Sequence, residues 1–535
     1  MLFKKFFNCA LGRSKNHYHR SIFNLFMTVP LFCSAQFSHV ILDNKNKPNE
    51  PTIAINPLNI NSVVAASNID NFYTLKSNAI QKFKATSNLG IYGDPVLHYS
   101  DTNLFFAHLS KTPNKNYGDW FDRIVVQKVH SIHPWKETSY SVGYNLNKMQ
   151  DKPWMSSDNH SPNYNGNVYV TWTEFDKYDS EDPNDFSRIR FSKYVPKSDS
   201  FSSAITISDS TGDCRDGDNT LEGVTTAIGS FGQIYAVWSG HNKIWFDKSS
   251  DGGESWGKDQ IMGRQLRGWD MEMPNIHRAN GMPFIQCDIK RTIIYVCWAE
   301  EDDNSANIIL KYSRDNGDSW SDPIEMSKEI GHQSHQYFPN ISLHKESGKV
   351  FIAYYDQQYS DKHLFYDISL SQIDVSKSSI PIIHTITKQS IPLPGKDVFY
   401  GDYLDIDLVD NKIAVIYSTY YNNKMAVELA TSTIPVMDVE SDRTIPYSRA
   451  LLVDKDSSSM IYLNVKSPGK IQGKCKYGNE LVKKKIKVKR NWTKGDINTD
   501  YLLFSIPKGK SYKLKYKIRE ITTRRKYTYV SKKQL

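Results

Sequence analysis

The 535-residue chain has few cysteines and lacks any run of 18 apolar residues. Without such a run, the sequence offers no candidate for a membrane-spanning helix. None of the six cysteines belongs to a Cys-x-x-Cys pair or a His/Cys cluster, so nothing in the pattern indicates zinc. Helical periodicity is also weak through the body of the chain, which argues against an α-helical fold.

Residues 1–35 have the pattern of a secretory signal peptide. Five basic residues precede the short apolar stretch SIFNLFMTVPLF, and Cys33-Ser34-Ala35 before Gln36 resembles a small-residue cleavage site. The alternatives are a buried N-terminal helix and a lipoprotein anchor on Cys33, which the bulky Phe32 disfavours. We therefore expect bacterial export, with the protein secreted or held at the cell surface.

Export would permit disulfides in the mature chain. Four cysteines follow the signal peptide: Cys214, Cys287, Cys297 and Cys475. Their pairing cannot be read from the sequence, and buried free thiols are the equal alternative.

Charge divides the chain into three segments. The net charge of +9 is the sum of +5 in residues 1–35, −14 in residues 36–440 and +18 in residues 441–535. An acidic body followed by a strongly basic tail predicts two domains with different partners.

A strand motif recurs every 56 to 66 residues along the acidic body. It reads NLFFAHL, NVYVTW, QIYAVW, IIYVCW, VFIAYY and KIAVIY, and the residues in register are Leu109, Trp172, Trp238, Trp298, Tyr354 and Tyr417. Each copy alternates large and β-branched residues and is flanked by further short strands, giving about four strands per repeat. Such repetition predicts an all-β, six-bladed β-propeller over residues 36–440. The additional strand pair TIAINP and SVVAAS either closes the ring or adds a seventh blade; a stacked solenoid is the alternative fold.

An eight-residue pattern, S-x-D-x-G-x-S-W, occurs twice, as SSDGGESW from Ser249 and SRDNGDSW from Ser313. Its glycine permits unusual backbone geometry, its aspartate can accept backbone N–H groups, and its tryptophan can pack into a blade. Every position thus has a structural role, and the pattern predicts a hairpin turn.

The octapeptide matches the Asp box, or BNR repeat, of sialidases and related propellers. The chain resembles secreted bacterial BNR-repeat proteins, often labelled sialidase or glycosyl hydrolase, over roughly residues 49–435. The stretches that carry the likeness are NEPTIAINP, DKPWMSSD, DCRDGDNTLEGV, RGWDMEMPNIHRANGMP, HQYFPNISL and VFYGDYLDI. The resemblance implies a sialidase-type propeller in which Asp251 and Asp315 lie in outer-rim turns, remote from the active site, and are not catalytic.

Polar residues stand at the predicted start of the innermost strand in nearly every repeat. Six blades would gather these residues around one axis, as a binding or catalytic site requires. The catalytic candidates are Asp94, Glu222, Asp402 and Tyr403, since sialidases use a tyrosine nucleophile with a carboxylic acid. The alternative is that these residues cap strands and turns.

The substrate-binding candidates are Asp151, Lys152, Arg215, Trp269, Arg278, His335 and Gln336. Trp269 would offer a flat platform to a sugar ring, although a single tryptophan is more often part of the core. A sialidase holds its substrate carboxylate with three arginines. The F/Y-R-I-P motif that supplies the first of them is absent, and Arg215, Arg267, Arg278 and Arg291 fall in no recognisable motif.

The loop DCRDGDNTLE places many oxygen atoms within ten residues and could hold Ca²⁺ through Asp213, Asp216 and Asp218. The spacing is not that of an EF-hand, and a solvated acidic turn is the alternative. No other cofactor is indicated.

Residues 441–535 alternate apolar residues with lysine, as in LVKKKIKVKR, and predict a small β-sandwich with one basic face. That face could bind an anionic polymer or surface, or it could protect a strand edge. We predict a monomer whose propeller binds no nucleic acid. It acts on glycans or glycoconjugates, hydrolysing glycosidic bonds at the central channel; the alternative is a non-catalytic propeller that binds carbohydrate or protein.

Overall fold

The computed structural model describes residues 37–433, apart from 46, 77–78, 114–119, 302–304, 328–334, 358–364, 378–379 and 422–423, together with the backbone of seven strands between 450 and 533. Every regular element of this part of the chain is a β-strand. Accordingly, no helix here is long and apolar enough to cross a membrane.

Strands β1 to β30 form seven sheets, and strands β31 to β37 form two more. The first strand, β1, spans Ser38–Asp43.

The strands of each blade follow one another along the chain. Blade 1 contains β2 Thr52–Ile55, β3 Ser62–Ser67, β4 Asn71–Lys76 and β5 Ala79–Lys84. Blade 2 contains β6 Val96–Ser100, β7 Asn103–Ser110, β8 Arg123–Ile132 and β9 Trp135–Val142. Blade 3 contains β10 Met149–Ser157, β11 Val168–Phe175, β12 Ser187–Val195, β13 Ser200–Phe201 and β14 Ile205–Thr206. Blade 4 contains β15 Glu222–Ile228, β16 Ile234–Gly240, β17 Lys243–Ser249 and β18 Gln260–Arg264. Blade 5 contains β19 Phe284–Asp288, β20 Ile293–Glu301, β21 Ala306–Ser313 and β22 Ile324–Glu325. Blade 6 contains β23 Gln336–His344, β24 Lys349–Asp356, β25 Phe365–Ile373, β26 Ile382–Thr385 and β27 Ile391–Pro392. Blade 7 contains β28 Asp405–Val409, β29 Lys412–Tyr421 and β30 Lys424–Thr433.

The seven sheets close into a propeller ring. The first strand of each blade contacts the first strand of the next, and β28 of blade 7 contacts β2 of blade 1. The predicted β-propeller is confirmed, and TIAINP and SVVAAS build blade 1, so the ring has seven blades and not six. Blade 7 takes its outermost strand from the start of the described chain, because β1 pairs antiparallel with β30.

The six recurring motifs are the second strands of blades 2 to 7. These strands are covered on both faces by neighbouring blades, so they read as continuous apolar runs. Trp172, Trp238 and Trp298 are almost fully buried, as is Tyr354 at the matching position of blade 6. The aromatic at this position therefore fills the space between adjacent sheets in blades 3 to 6, whereas blade 2 has the buried Leu109 there.

Both octapeptides form the turn after the third strand of a blade, which confirms the predicted structural role. Asp251 accepts hydrogen bonds from the backbone N–H groups of Glu254 and Ser255, both at 3.0 Å. Trp256 packs edge-on against Phe191 of blade 3, with ring centroids 5.1 Å apart. The strands of a blade alternate in direction, so this turn lies at the opposite end of blade 4 from the start of β15.

Three cysteines in the described part of the chain, Cys214, Cys287 and Cys297, are free thiols. Burial raises the pKa of Cys297 well above its ordinary value and raises that of Cys287 to about 12. These thiols are therefore packed as small apolar groups and not activated.

The C-terminal segment forms two antiparallel sheets. One has the order β31-β32-β35 and the other β34-β33-β36-β37. Their strands are β31 Ala450–Asp454, β32 Ser458–Asn464, β33 Gly469–Tyr477, β34 Glu480–Lys487, β35 Tyr501–Pro507, β36 Tyr512–Glu520 and β37 Lys526–Lys533. The predicted β-rich tail is thus present, while the predicted boundary at residue 440 and the signal peptide lie outside the described residues.

Candidate functional site

Lys152 lies at the centre of a buried group of charges where the innermost strands begin. Its Nζ lies 3.1 Å from Asp402 Oδ2, 3.3 Å from Glu222 Oε1 and 3.4 Å from Asp151 Oδ2. The lysine side chain is only 4% exposed. The cation thus joins blades 3, 4 and 7, and it brings together four residues that the sequence had singled out.

Arg278 adds a second cation to this group. Its Nε donates to Asp402 Oδ1 at 2.9 Å, its Nη2 donates to Asp402 Oδ2, and its Nη1 donates to Asp216 Oδ2 at 2.6 Å. Two parallel bonds to one carboxylate are the strongest geometry available to an arginine. We call the set Asp151, Lys152, Asp216, Glu222, Arg278 and Asp402 the channel cluster.

Asp216 is held by three donors. Besides Arg278, it accepts hydrogen bonds from Tyr178 Oη at 2.5 Å and Trp269 Nε1 at 2.9 Å. Burial opposes its ionisation, but Lys152 and Arg278 outweigh burial and hold the pKa of Asp216 well below its ordinary value. Trp269 therefore positions a carboxylate through its indole edge, while its ring lies 6.0 Å from Lys152 Nζ.

Glu222 and Asp402 share Lys152, yet their pKa values move in opposite directions. Complete burial, followed by the charge of Asp216, raises the pKa of Glu222 well above its ordinary value despite Lys152. Burial would also raise the pKa of Asp402, but Lys152 and Arg278 hold it below the ordinary value. Within one cluster, the surroundings thus favour the protonated form of Glu222 and the ionised form of Asp402. Environments that separate two carboxyl groups in this way are typical of acid–base sites.

Glu50 and Asp94 form a second acidic pair beside the channel cluster. Asn68 joins them, because its Nδ2 donates to Glu50 Oε2 and its Oδ1 accepts the Asp94 N–H at 2.9 Å. Burial, with Asp402 next, raises the pKa of Glu50 to about 7. Burial, with Glu50 next, raises that of Asp94 well above its ordinary value.

The sequence prediction included Asp94 but missed Glu50. A signal was available, because Glu50-Pro51, Asp94-Pro95 and Lys152-Pro153 are equivalent dipeptides just before or at the start of an innermost strand.

Backbone geometry marks the same position in five of the seven blades. Glu50, Asp94, Lys152 and Phe338 have φ of 47°, 50°, 48° and 51°, a left-handed conformation that is uncommon outside glycine. In blade 4 the position is Gly223, with φ of 68°. The pairing of β10 with β11 shifts register here, between Asp151 and Trp154. Such irregularities re-aim side chains and are frequent beside functional sites.

Tyr403 is not arranged as a nucleophile, contrary to the prediction. Its hydroxyl donates to the Pro95 carbonyl at 3.3 Å, and its ring packs edge-on against Trp154 with centroids 5.7 Å apart. Burial, then Asp94 and Glu50, raises its pKa well above the ordinary value. The phenol is therefore held neutral, packed between blades.

The predicted arginines do not converge. Arg278 is in the channel cluster, whereas Arg267 Nη1 lies 3.6 Å from Glu301 and the Arg215 side chain is exposed to solvent. Among the described residues, the channel cluster thus contains one arginine and not the three of a sialidase clamp.

His335 and Gln336 lie in blade 6, apart from the described contacts of the channel cluster. Gln336 Nε2 donates to Asp356 Oδ1 at 3.0 Å, and the His335 carbonyl accepts the Gln357 N–H at 3.0 Å. Both bonds lie within blade 6, so the ligand-binding role of His335 and Gln336 stays a prediction.

The three aspartates proposed for calcium do not share a site. Asp213 accepts from Thr220 Oγ1 at 2.8 Å, and Asp218 accepts from the Trp269 N–H at 2.8 Å, whereas Asp216 turns to Arg278. Within the described ranges, no group of three or more His, Cys, Asp or Glu residues is placed to hold a metal ion. Protein donors satisfy these carboxylates, so the predicted calcium site is not formed.

The segment from Trp269 to Asn280 covers the channel cluster. Asn280 Nδ2 donates to the Asp402 carbonyl at 3.1 Å, and the Arg278 guanidinium lies 5.3 Å from the Phe399 ring. The side chain of Arg278 remains 33% exposed, against 4% for Lys152. The guanidinium is thus the group through which a ligand in solvent would first meet the cluster.

Fold and site together define a seven-bladed propeller with a charged cluster at one end of its channel. No family model matches the chain, and no curated protein matches it. Among solved structures, Trypanosoma rangeli sialidase with the inhibitor DANA is 11% identical, with a TM-score of 0.40, covering 92% of this chain and 89% of its own. Penicillium chrysogenum α-L-arabinanase is 12% identical, with a TM-score of 0.37 and coverage of 64% and 98%. An ulvanlyase is 10% identical, with a TM-score of 0.39 and coverage of 69% and 88%.

The names of all three describe enzymes that act on carbohydrates. With about one residue in ten identical and TM-scores below 0.5, however, the likeness does not by itself establish a shared activity.

Proposed function

We propose that this protein is an exported, glycan-acting propeller that hydrolyses glycosidic bonds at the channel cluster. The observation that carries the proposal is that two carboxyl groups whose pKa values are moved in opposite directions, Glu222 upward and Asp402 downward, both lie within 3.3 Å of one ammonium nitrogen. Most glycosidases need two neighbouring carboxyl groups, one protonated and one ionised.

The spacing favours retention of configuration. An inverting enzyme separates its carboxyl groups by about 6.5–9.5 Å to leave room for a water molecule. The Glu222 and Asp402 oxygens that contact Lys152 Nζ lie 3.3 and 3.1 Å from it, so these two oxygens cannot be farther apart than the lower end of that range. In the proposed reaction Glu222 gives its proton to the leaving oxygen as Asp402 attacks the anomeric carbon. Water, deprotonated by Glu222, then displaces Asp402 and releases the sugar.

Arg278 and Trp269 would control access and charge. Arg278 neutralises Asp402 and Asp216 from the solvent side, and its exposed edge can donate to sugar hydroxyls. One arginine does not reproduce the planar clamp that anionic sugars require. The proposed substrate is therefore a neutral glycan, and sialic acid release is not expected.

The test is a turnover assay on soluble neutral and acidic polysaccharides, with the released sugar identified and its anomeric configuration followed by NMR. Glu222→Gln and Asp402→Asn should each lower kcat/KM by about 10²–10⁴-fold, the usual contribution of an acid or base. Asp318→Asn, an exposed residue of the blade 5 octapeptide, is the control and should keep wild-type rates. Thermal unfolding of each variant separates loss of chemistry from loss of fold. Absence of turnover on the whole panel by the wild-type protein would refute the enzymatic proposal.

A second candidate function is non-catalytic glycan binding, with the channel cluster as a structural tie. The burial of Glu222 (0% exposed) and Lys152 (4%) favours it, because enclosed charges can hold blades together without meeting a ligand. On this proposal the same panel gives binding without turnover.

Two further proposals concern parts of the chain outside the ring. We propose export through residues 1–35, which a cleavage assay in a secreting bacterial host would test. We also propose that the basic residues of 441–535 retain the protein on an anionic surface. That retention should weaken as salt is raised, because exposed charges are screened.

A further inference from the structure

A groove of about 300 Å³ lies between blades 3 and 4, separate from the channel cluster. Its lining residues, which define the blade 3–4 groove, are Pro183, Asp185, Phe186, Thr211, Gly212, Asp213, Asn219 and His241. The groove opens on the same end of the propeller as the channel cluster. Phe186 precedes β12 and His241 lies between β16 and β17, at the end where β15 begins.

One loop separates the groove from the channel cluster. Residues 211–220 lead into β15 and carry Asp213 and Asn219 on the groove side. The same loop turns Asp216 toward Arg278, with a distance of 2.6 Å. The loop of residues 211–220 therefore borders the groove on one side and contacts Arg278 on the other.

The groove combines an exposed aromatic ring with fixed polar groups. Phe186 is 38% exposed, although a phenylalanine side chain is usually buried. His241 Nε2 pairs with the Thr211 carbonyl at 3.0 Å, and Asp213 Oδ1 accepts from Thr220 at 2.8 Å. A sugar ring has an apolar C–H face and a rim of hydroxyls, which match a flat ring flanked by oriented donors and acceptors.

The charge of the lining selects among sugars. Its eight residues include two carboxylates, Asp185 and Asp213, and neither lysine nor arginine. Carboxylates accept hydrogen bonds from hydroxyl groups but repel uronates and sialic acids, since like charges at short range are unfavourable. The lining thus favours neutral sugar units over acidic ones.

We propose that the blade 3–4 groove binds a neutral sugar unit of a glycan chain that extends toward the channel cluster. The inference rests on the proposed function for the class of ligand, but the groove is a binding site in its own right. Phe186 stacks on the sugar, and Asp213, Asn219 and His241 set its orientation.

The experiment is affinity electrophoresis of the full chain in gels containing arabinan, galactan, xylan or mixed-linkage glucan, with polygalacturonate and polysialic acid as acidic probes. We expect at least one neutral polysaccharide to retard the protein. The acidic probes should not bind in the groove, so any retardation by them should be the same in Phe186→Ala as in wild type. Phe186→Ala should weaken retardation by the neutral polysaccharide at least tenfold. The matched control is Phe231→Ala, which removes a 79% exposed phenylalanine at the opposite end of blade 4.

The outcomes separate this inference from the proposed chemistry. A wild-type protein that is retarded by a neutral polysaccharide but never turns one over would refute the hydrolase proposal and leave the groove standing. The inference is overturned if no neutral polysaccharide retards the protein. It is equally overturned if Phe186→Ala and Phe231→Ala behave alike, or if an acidic probe is the better ligand and Phe186→Ala abolishes that binding.

Discussion

Lys152 holds one ammonium group among three carboxylates, with almost no access to water. Burial raises the energetic cost of unpaired charge, so the pairing must be nearly complete. Because two of those carboxylates, Asp151 and Glu222, open adjacent blades and Asp402 precedes blade 7, the cation fixes three strand starts at once. The strained φ of 48° at Lys152 is thus supported by contacts on several sides.

The residues of the site differ in how far the sequence could reveal them. Asp151, Lys152, Glu222 and Asp402 were predictable, because the repeat places them at the same point of four-stranded units. Tyr178 was not, since its bond to Asp216 joins loops of two blades whose mutual approach no local pattern encodes.

Asp247 provides a residue-scale test of charge burial. Its Oδ1 accepts the Lys248 N–H at 2.7 Å, while its buried Oδ2 has no hydrogen-bond partner among the described residues. Burial, followed by the charges of Asp259 and Asp209, raises its pKa to about 7. In the unfolded chain the pKa returns to about 3.9. The folded protein therefore holds this proton more tightly, and stability falls as pH rises from about 4 to 7.

Asp247→Asn should remove the loss of stability that accompanies rising pH, because the amide oxygen keeps the Lys248 bond and the uncharged NH₂ replaces the unpartnered oxygen. Relative to wild type, the variant should gain stability as pH rises from 4.5 to 7.5, by at most about 1.4 kcal/mol per pH unit. Urea unfolding at several pH values measures this, with Asp318→Asn as the exposed control. A stability difference that stays constant with pH would show that Asp247 does not titrate as described.

At the scale of elements, the octapeptide shows why some turns could be predicted completely. Ser249 Oγ accepts the Gly253 N–H at 2.9 Å, and a Cβ at Gly253 would lie 2.5 Å from Phe191 Cζ. Serine, aspartate and glycine are thus fixed by contacts within the turn or immediately beneath it. Local contacts of that kind can be predicted from a sequence. The blade 3–4 groove could not be predicted, because its walls come from separate turns.

Asp251→Ala should destabilise the protein by about 1–3 kcal/mol, since several turn N–H groups lose their acceptor. The channel cluster lies at the other end of the blade, so glycan turnover or binding should keep its wild-type value below the unfolding temperature. Thermal unfolding measures the first effect and the polysaccharide panel the second. Glu254→Ala is the matched control within the same octapeptide, because the Glu254 side chain is 75% exposed and Lys193 keeps its bond to the Gly252 carbonyl at 2.8 Å. A selective loss of activity in Asp251→Ala would contradict the structural role.

At the scale of the whole molecule, the ring depends on how its first and last blades meet. Asp405 Oδ2 accepts from Thr52 Oγ1 and the Ile53 N–H of blade 1, both at 2.9 Å, while its Oδ1 accepts from Asn340 of blade 6 at 3.0 Å. One carboxylate therefore connects three consecutive blades. The sequence left six and seven blades open for a physical reason: SVVAAS of blade 1 contains no aromatic residue, whereas every other second strand contains at least one.

Closure by β1 supplies the last prediction. Leu42 is fully buried and packs with Ile53 of blade 1 and Ile416 of blade 7. Leu42→Ala should cost about 2–5 kcal/mol, the usual range for a buried leucine, and should loosen the pairing of β1 with β30. Leu58→Ala, at a position 74% exposed, is the matched control and should change stability by less than about 0.5 kcal/mol. Amide hydrogen exchange of each strand shows which part of the ring loses protection in Leu42→Ala. Because β1 closes the ring, protection should drop first in β30 and then in the adjoining strands of blade 7. A uniform drop across all seven blades would mean that the ring opens as one cooperative unit and that β1 is no weaker than the other outer strands.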